Sequence, residues 1–110
     1  MQTQERLHTP LTREEVMRRL QAQADVLRAL GVRKLGVFGS VARDEARPGS
    51  DVDILVEFET GQKSFDRFLQ VASFLEHILG CRVELVTPEG LSPYIAPYVY
   101  REVLYVPFGS

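Results

Sequence analysis

Apolar positions along this chain switch between two spacings, and the switches mark out its elements. Val16, Leu20, Leu27 and Leu30 recur at helical spacing behind Thr12, and Gly31 is placed to end the helix. Thr12 and Glu15 have the layout of a capping box, hydroxyl and carboxylate each satisfying a free amide at the helix start. Leu35 to Phe38 is short, apolar and closed by Gly39, as suits a buried strand feeding a tight turn. Ala42 to Ala46 has room for barely more than one helical turn before Arg47, Pro48, Gly49 and Ser50 stop it. From Asp51 to Phe58 the spacing becomes two. Val52, Ile54, Val56 and Phe58 share one side; Asp51, Asp53, Leu55 and Glu57 share the other.

Ser64 is a cap for a helix predicted over Phe65 to Leu79, with Gly80 at its end. Phe65, Phe68, Leu69, Ala72, Leu75 and Leu79 form one apolar stripe, and Val71, Phe74 and Ile78 widen it beyond half the circumference. So wide a stripe predicts a helix enclosed by further core elements, with a partner-binding surface as the alternative. Arg82 to Thr87 reads as a third strand, with Glu84 between Val83 and Leu85. Pro93 and Pro97 limit Tyr94 to Arg101 to a short or kinked helix, and Val103 to Val106 predicts a final strand.

At 110 residues the chain fits one domain, spanning 1–110, with a single modest core. Thirteen Lys and Arg against fifteen Asp and Glu leave a formal charge of -2, so no global cationic field gathers nucleic acid or an anionic membrane. Direct nucleic-acid binding is therefore not expected. Cys81 stands alone, which excludes an internal disulfide and a cysteine-based zinc cluster and suits a small buried hydrophobe. The polar N-terminus and the absence of any apolar run of membrane-spanning length lead to the expectation of a cytoplasmic protein.

The candidate chemistry lies between Gly39 and Asp53. Asp51 and Asp53, two apart on a strand, place their carboxylates on one face about 7 Å apart at the backbone, close enough to converge on a shared hard cation. The Gly39–Ser40 turn offers backbone amides with no side chain in the way, plus a hydroxyl, suited to phosphate oxygens. Magnesium prefers carboxylates together with substrate phosphates, so each half of the motif gives the other a purpose. Glu84 is the acidic residue available on the third strand to complete a two-metal set. Arg43, four positions beyond Gly39, is placed to contact phosphate or a partner, or to pair with a neighbouring acid.

The run GSVARDEARPGSDVDILVEF resembles the signature of the DNA polymerase beta-like nucleotidyltransferase superfamily, and the small size resembles its minimal, MNT-type branch. The likeness extends from about Leu35 onward and is most specific between Gly39 and Phe58. It implies an α+β nucleotidyltransferase fold, a mixed three- to four-stranded sheet with helices packed on one face. It implies ATP as substrate, with Gly39 and Ser40 holding the triphosphate. Asp51, Asp53 and a third carboxylate would ligate two magnesium ions; that position holds Glu84 here, where the family usually has aspartate. A HEPN-domain ribonuclease toxin is the implied partner, with AMP transferred to one of its tyrosines. Two further readings share the residues: a non-catalytic antitoxin module that blocks such a partner by contact, and nucleotidyl transfer to a small molecule or an RNA end.

Overall fold

The computed structural model describes residues 11–108. Its first helix, α1 (Arg13–Ala22), starts at Thr12, whose hydroxyl accepts from the Glu15 amide at 3.1 Å. The carboxylate half of the expected capping box is not what Glu15 supplies; its oxygens are engaged by Arg18 and Arg19. Nor is the predicted helix continuous. It breaks at Gln23 and resumes as α2 (Ala24–Ala29), and Gly31, at φ +92°, turns the chain into the sheet. Val16, Leu20 and Leu27 all reach the core despite the break.

Strand β1 (Val32–Phe38) is three residues longer at its start than the apolar run suggested, because Arg33 and Lys34 are both exposed where its register with the neighbouring strand is irregular. It pairs antiparallel with β2 (Val52–Phe58). The helical turn between them is Gly39–Ala42, here α3, rather than Ala42 to Ala46. It begins directly at the strand end, and its last carbonyl, on Ala42, accepts from Arg13 Nη1 at 3.1 Å. Helix α4 (Phe65–Leu79) has both predicted boundaries. Ser64 Oγ accepts from the Arg67 amide at 3.1 Å, and Gly80 takes the left-handed conformation that ends such helices. Strand β3 (Val83–Val86) then runs parallel to β2, and α5 (Ala96–Glu102) leads into β4 (Leu104–Tyr105), antiparallel to β1. The strand order is β3-β2-β1-β4.

The alternation along β2 decides the layers. Val52, Ile54 and Val56 join Leu35 and Val37 on one face of the sheet, where Val16, Leu20 and Leu27 of α1 and α2 and Val71, Leu75 and Leu79 of α4 complete the main core. Each such side chain, fully buried, contributes roughly 1.5–3 kcal/mol. The wide stripe on α4 follows from this enclosure: Phe68, Phe74 and Ile78 are partly buried and pack against the same core. Phe65 and Leu69 are exceptions; at 75% and 47% exposure they lie outside the core that the stripe predicted for them. Leu69 sits about 120° around the helix from Leu75, too far to share its face. On the opposite face Leu55 is fully buried, and the side chain of Val103 occupies the space beside Gly36 on the neighbouring strand. Cys81 packs half-buried at the edge of the core, where burial pushes its thiol upward. Among the described residues no helix is long and apolar enough to cross a membrane.

Candidate active site

The sheet brings the two halves of the sequence motif to one strand end. Asp53 is the Cα partner of Phe38 on β1 and of Glu84 on β3, so it stands between the Gly39 turn and the third carboxylate. In a parallel pair, directly opposed residues project to the same face, which places Glu84 beside Asp53 and on the side that Asp51 also takes. Asp51 precedes the first paired residue of β2, and its Oδ1 lies 3.8 Å from Arg82 Nε, a long and solvent-exposed approach.

Glycine is required at position 39 for two separate reasons. Its φ is +77°, and a Cβ built there would stand 3.0 Å from the Asp53 Cγ and closer still to a carboxylate oxygen. The turn therefore packs directly on the Asp53 carboxyl. Ser40 follows in α3, half-buried, its carbonyl accepting from the Glu45 amide at 2.7 Å.

The electrostatics of this corner are unbalanced. Burial first, then the charges of Glu84 and Asp51, push the Asp53 carboxyl up from 3.8 to about 6, and Glu102 adds to the effect. Arg43 opposes it but lies outside the acidic cluster, its Nε donating to Glu45 at 3.0 Å and its Nη1 to Glu102 at 3.0 Å. Those two acids hold the Arg43 guanidinium above its usual range. Of the alternatives open for Arg43, the described state is pairing with neighbouring acids.

Glu102 is the residue that sequence reasoning missed. It lies 63 positions beyond Gly39, at the end of α5, and its Oε2 accepts from the Gly39 amide at 2.7 Å. No local signal marks it: the tail around it reads as prolines and tyrosines, and nothing in its spacing relates it to the Gly39–Asp53 motif.

A glycine-serine turn packed on the second of two aspartates two apart on a strand, and faced by a third acid on a mixed α+β sheet, has the layout of a nucleotidyltransferase. The family model described as a nucleotidyltransferase domain matches residues 20–106, and the chain belongs to that family. More particularly, it is 48% identical over 97 residues to the protein adenylyltransferase MntA of Thermococcus cleftensis, covering 87% of this chain and 97% of that protein. A solved structure of a proposed minimal nucleotidyltransferase superposes with a TM-score of 0.75 at 36% identity, covering 87% of this chain and 97% of the other. The MNT-type fold also appears in a structure of tri-AMPylated Shewanella oneidensis HEPN toxin in complex with MNT antitoxin. That match has a TM-score of 0.53 at 18% identity, covers 78% of this chain and 70% of the other, and speaks for the fold.

Proposed function

We propose that this chain is a magnesium-dependent, cytoplasmic nucleotidyltransferase antitoxin, a single minimal domain over 1–110 that transfers AMP from ATP to a tyrosine of a HEPN-type toxin. The observation that carries the reading is the Asp53 corner, where one carboxylate is pressed between the Gly39 turn and Glu84 and Arg43 only partly offsets the negative charge around it. Identity to a protein adenylyltransferase supports transfer of an adenylyl group to protein. A chain of the same fold bound to an AMP-bearing HEPN toxin names the kind of partner to test.

The donor set suits a hard divalent cation. Asp51, Asp53 and Glu84 offer only oxygen, and the Asp53 carboxyl is raised by burial first and then by the neighbouring negative charges, which a cation would compensate. Among the described residues no three His, Cys, Asp or Glu side chains stand arranged to hold an ion by themselves. Magnesium does not need a closed protein cage, because it completes its shell with water and substrate phosphates. When bound, two such ions supply charge stabilisation to the entering and leaving oxygens.

This chain's own residues do the rest. Gly39 and Ser40 orient the triphosphate through amides and a hydroxyl; Asp51, Asp53 and Glu84 fix where positive charge sits relative to the α-phosphorus. The tyrosine oxygen of the partner gives up its proton to solvent and forms a bond to that phosphorus in line with the departing bond, which breaks to release pyrophosphate. The test is direct: incubate the folded protein with the HEPN-type product of a neighbouring gene, ATP and magnesium, and record intact masses. An AMP increment on the partner is expected, and a partner that stays unmodified while both proteins are folded overturns the reading.

A second reading, the non-catalytic blocking module, is favoured by one observation: Tyr94, Ile95 and Tyr98 are exposed on the C-terminal segment, as are Phe65 and Leu69 on α4. It requires that Asp51→Ala combined with Asp53→Ala still neutralise the partner. Loss of protection with binding retained rejects it.

A further inference from the structure

The Gly39 amide and the Arg43 guanidinium are the groups of the turn that an incoming phosphate would meet, and one carboxylate of this same chain holds both. Glu102 Oε2 accepts from the Gly39 amide at 2.7 Å and from Arg43 Nη1 at 3.3 Å, while Oε1 accepts from Arg43 Nη1 at 3.0 Å. A carboxylate shared between a backbone amide and a guanidinium reproduces the charge and the acceptor geometry of a phosphate oxygen pair.

Its own helix does not explain why Glu102 is there. It occupies the last turn of α5, where the helix dipole disfavours an anion, so its charge is compensated from outside the helix, by the turn and Arg43. The local balance of charge also disfavours it, since Asp53 packs on the other side of Gly39 and the two carboxylates repel. Release is inexpensive for Arg43: its Nε keeps Glu45 at 3.0 Å, which frees Nη1 for another anion without leaving the guanidinium unpaired. The Glu102 side chain itself is 27% exposed and lies within reach of solvent.

We propose that Glu102 is an internal stand-in for substrate phosphate, which nucleotide binding must displace, so that Glu102 sets the affinity for the nucleotide. This rests on the reading of Gly39 and Ser40 as the triphosphate site and adds to it the residue that competes for that site. Glu102 is thus a residue that tunes substrate binding, one that the Gly39–Asp53 motif does not contain.

The experiment is calorimetric titration of the full chain with magnesium and ATP, and separately with inorganic triphosphate, for the wild type, Glu102→Gln and Glu102→Ala. Glutamine keeps the length and an acceptor for the Gly39 amide while removing the competing charge. Both variants are expected to bind either ligand about three- to tenfold more tightly, the size of one net hydrogen bond no longer in competition. In turnover with the partner, KM should fall in the same proportion. Equal or weaker binding by Glu102→Gln, with an unchanged circular dichroism spectrum and melting temperature, overturns the proposal and makes Glu102 a brace for the turn. If Glu102→Ala fails to fold, Glu102→Gln alone decides. Should the wild type bind neither ATP nor triphosphate, the reading of the turn as a phosphate site fails, and this inference with it; a wild type that binds beside variants that bind no better defeats the inference alone.

Discussion

Asp53 and Glu84 stand directly opposite each other on adjacent parallel strands, two acids side by side on one face. Arg43, the cation that bears on Asp53, is occupied by Glu45 and Glu102. Like charges so placed destabilise a sheet unless something else uses them.

The first prediction concerns stability and pH. The folded-state pKa of Asp53, about 6, lies above its ordinary 3.8, so between those values the native state holds a proton that the unfolded chain has lost. Stability therefore falls as pH rises through that window, and the full penalty is present above about pH 6. Asp53→Asn removes the penalty. By denaturant unfolding, this variant should exceed the wild type by about 1–2 kcal/mol at pH 8, after allowance for solvent screening, with the gain fading as pH falls towards 4. A variant no more stable than the wild type at pH 8 contradicts the assignment.

Magnesium should act on the same balance. A cation beside the Asp53 carboxyl favours its ionised form, so added magnesium is expected to raise the melting temperature at pH 8 and to do so less at pH 5, where Asp53 is mostly protonated. Equal shifts at both pH values, or none, would count against a carboxylate-held ion at this corner.

Glu84 is the proposed third ligand, and its replacement tests whether the chain is a working catalyst or a retained scaffold. Glu84→Gln keeps the side-chain volume at an exposed position and removes one charge that raises the Asp53 carboxyl, so the melting temperature at pH 8 should hold or rise, while the AMP-transfer rate should fall by roughly 10²-fold if the residue ligates metal. Single-turnover rates with the partner measure this. A rate within a factor of three of the wild type removes Glu84 from the site.

Gly39→Ala tests the turn. The substitution forces a left-handed φ on alanine and drives its Cβ into the Asp53 carboxylate, so a loss of about 2–4 kcal/mol is expected, together with loss of activity. Gly49→Ala is the control. Its φ is also positive, at +86°, but nothing lies within 4 Å of a Cβ there, so only the conformational cost of about 1–2 kcal/mol should appear. Thermal unfolding of the pair isolates the steric contribution at Gly39.

Much of this architecture is legible in the chain itself, because its signals are local. Ser64 and Gly80 bound α4 as read, since a cap hydroxyl and a left-handed glycine act on amides and carbonyls within one turn. The shared side of Asp51 and Asp53 follows from the period of a strand alone. Gln23 shows the limit: no proline or glycine interrupts the apolar spacing of the first helix, yet the chain breaks there to lay α1 against α4 and α2 against β1. Phe65 and Leu69 fail in the other direction, apolar residues counted into a stripe whose centre only the neighbouring elements define.

By itself the sequence determined the class of chemistry. A glycine-serine turn, ten residues and an Asp-x-Asp strand are contiguous, and local geometry suffices to relate their side chains. Tertiary structure alone decided which distant groups join them. The parallel register that sets Glu84 against Asp53, the burial that raises the Asp53 carboxyl, and the reach of Glu102 back to the Gly39 amide each depend on contacts between segments 31 to 63 residues apart. Such contacts arise from how the faces of the sheet and helices pack, and no spacing along the chain records them.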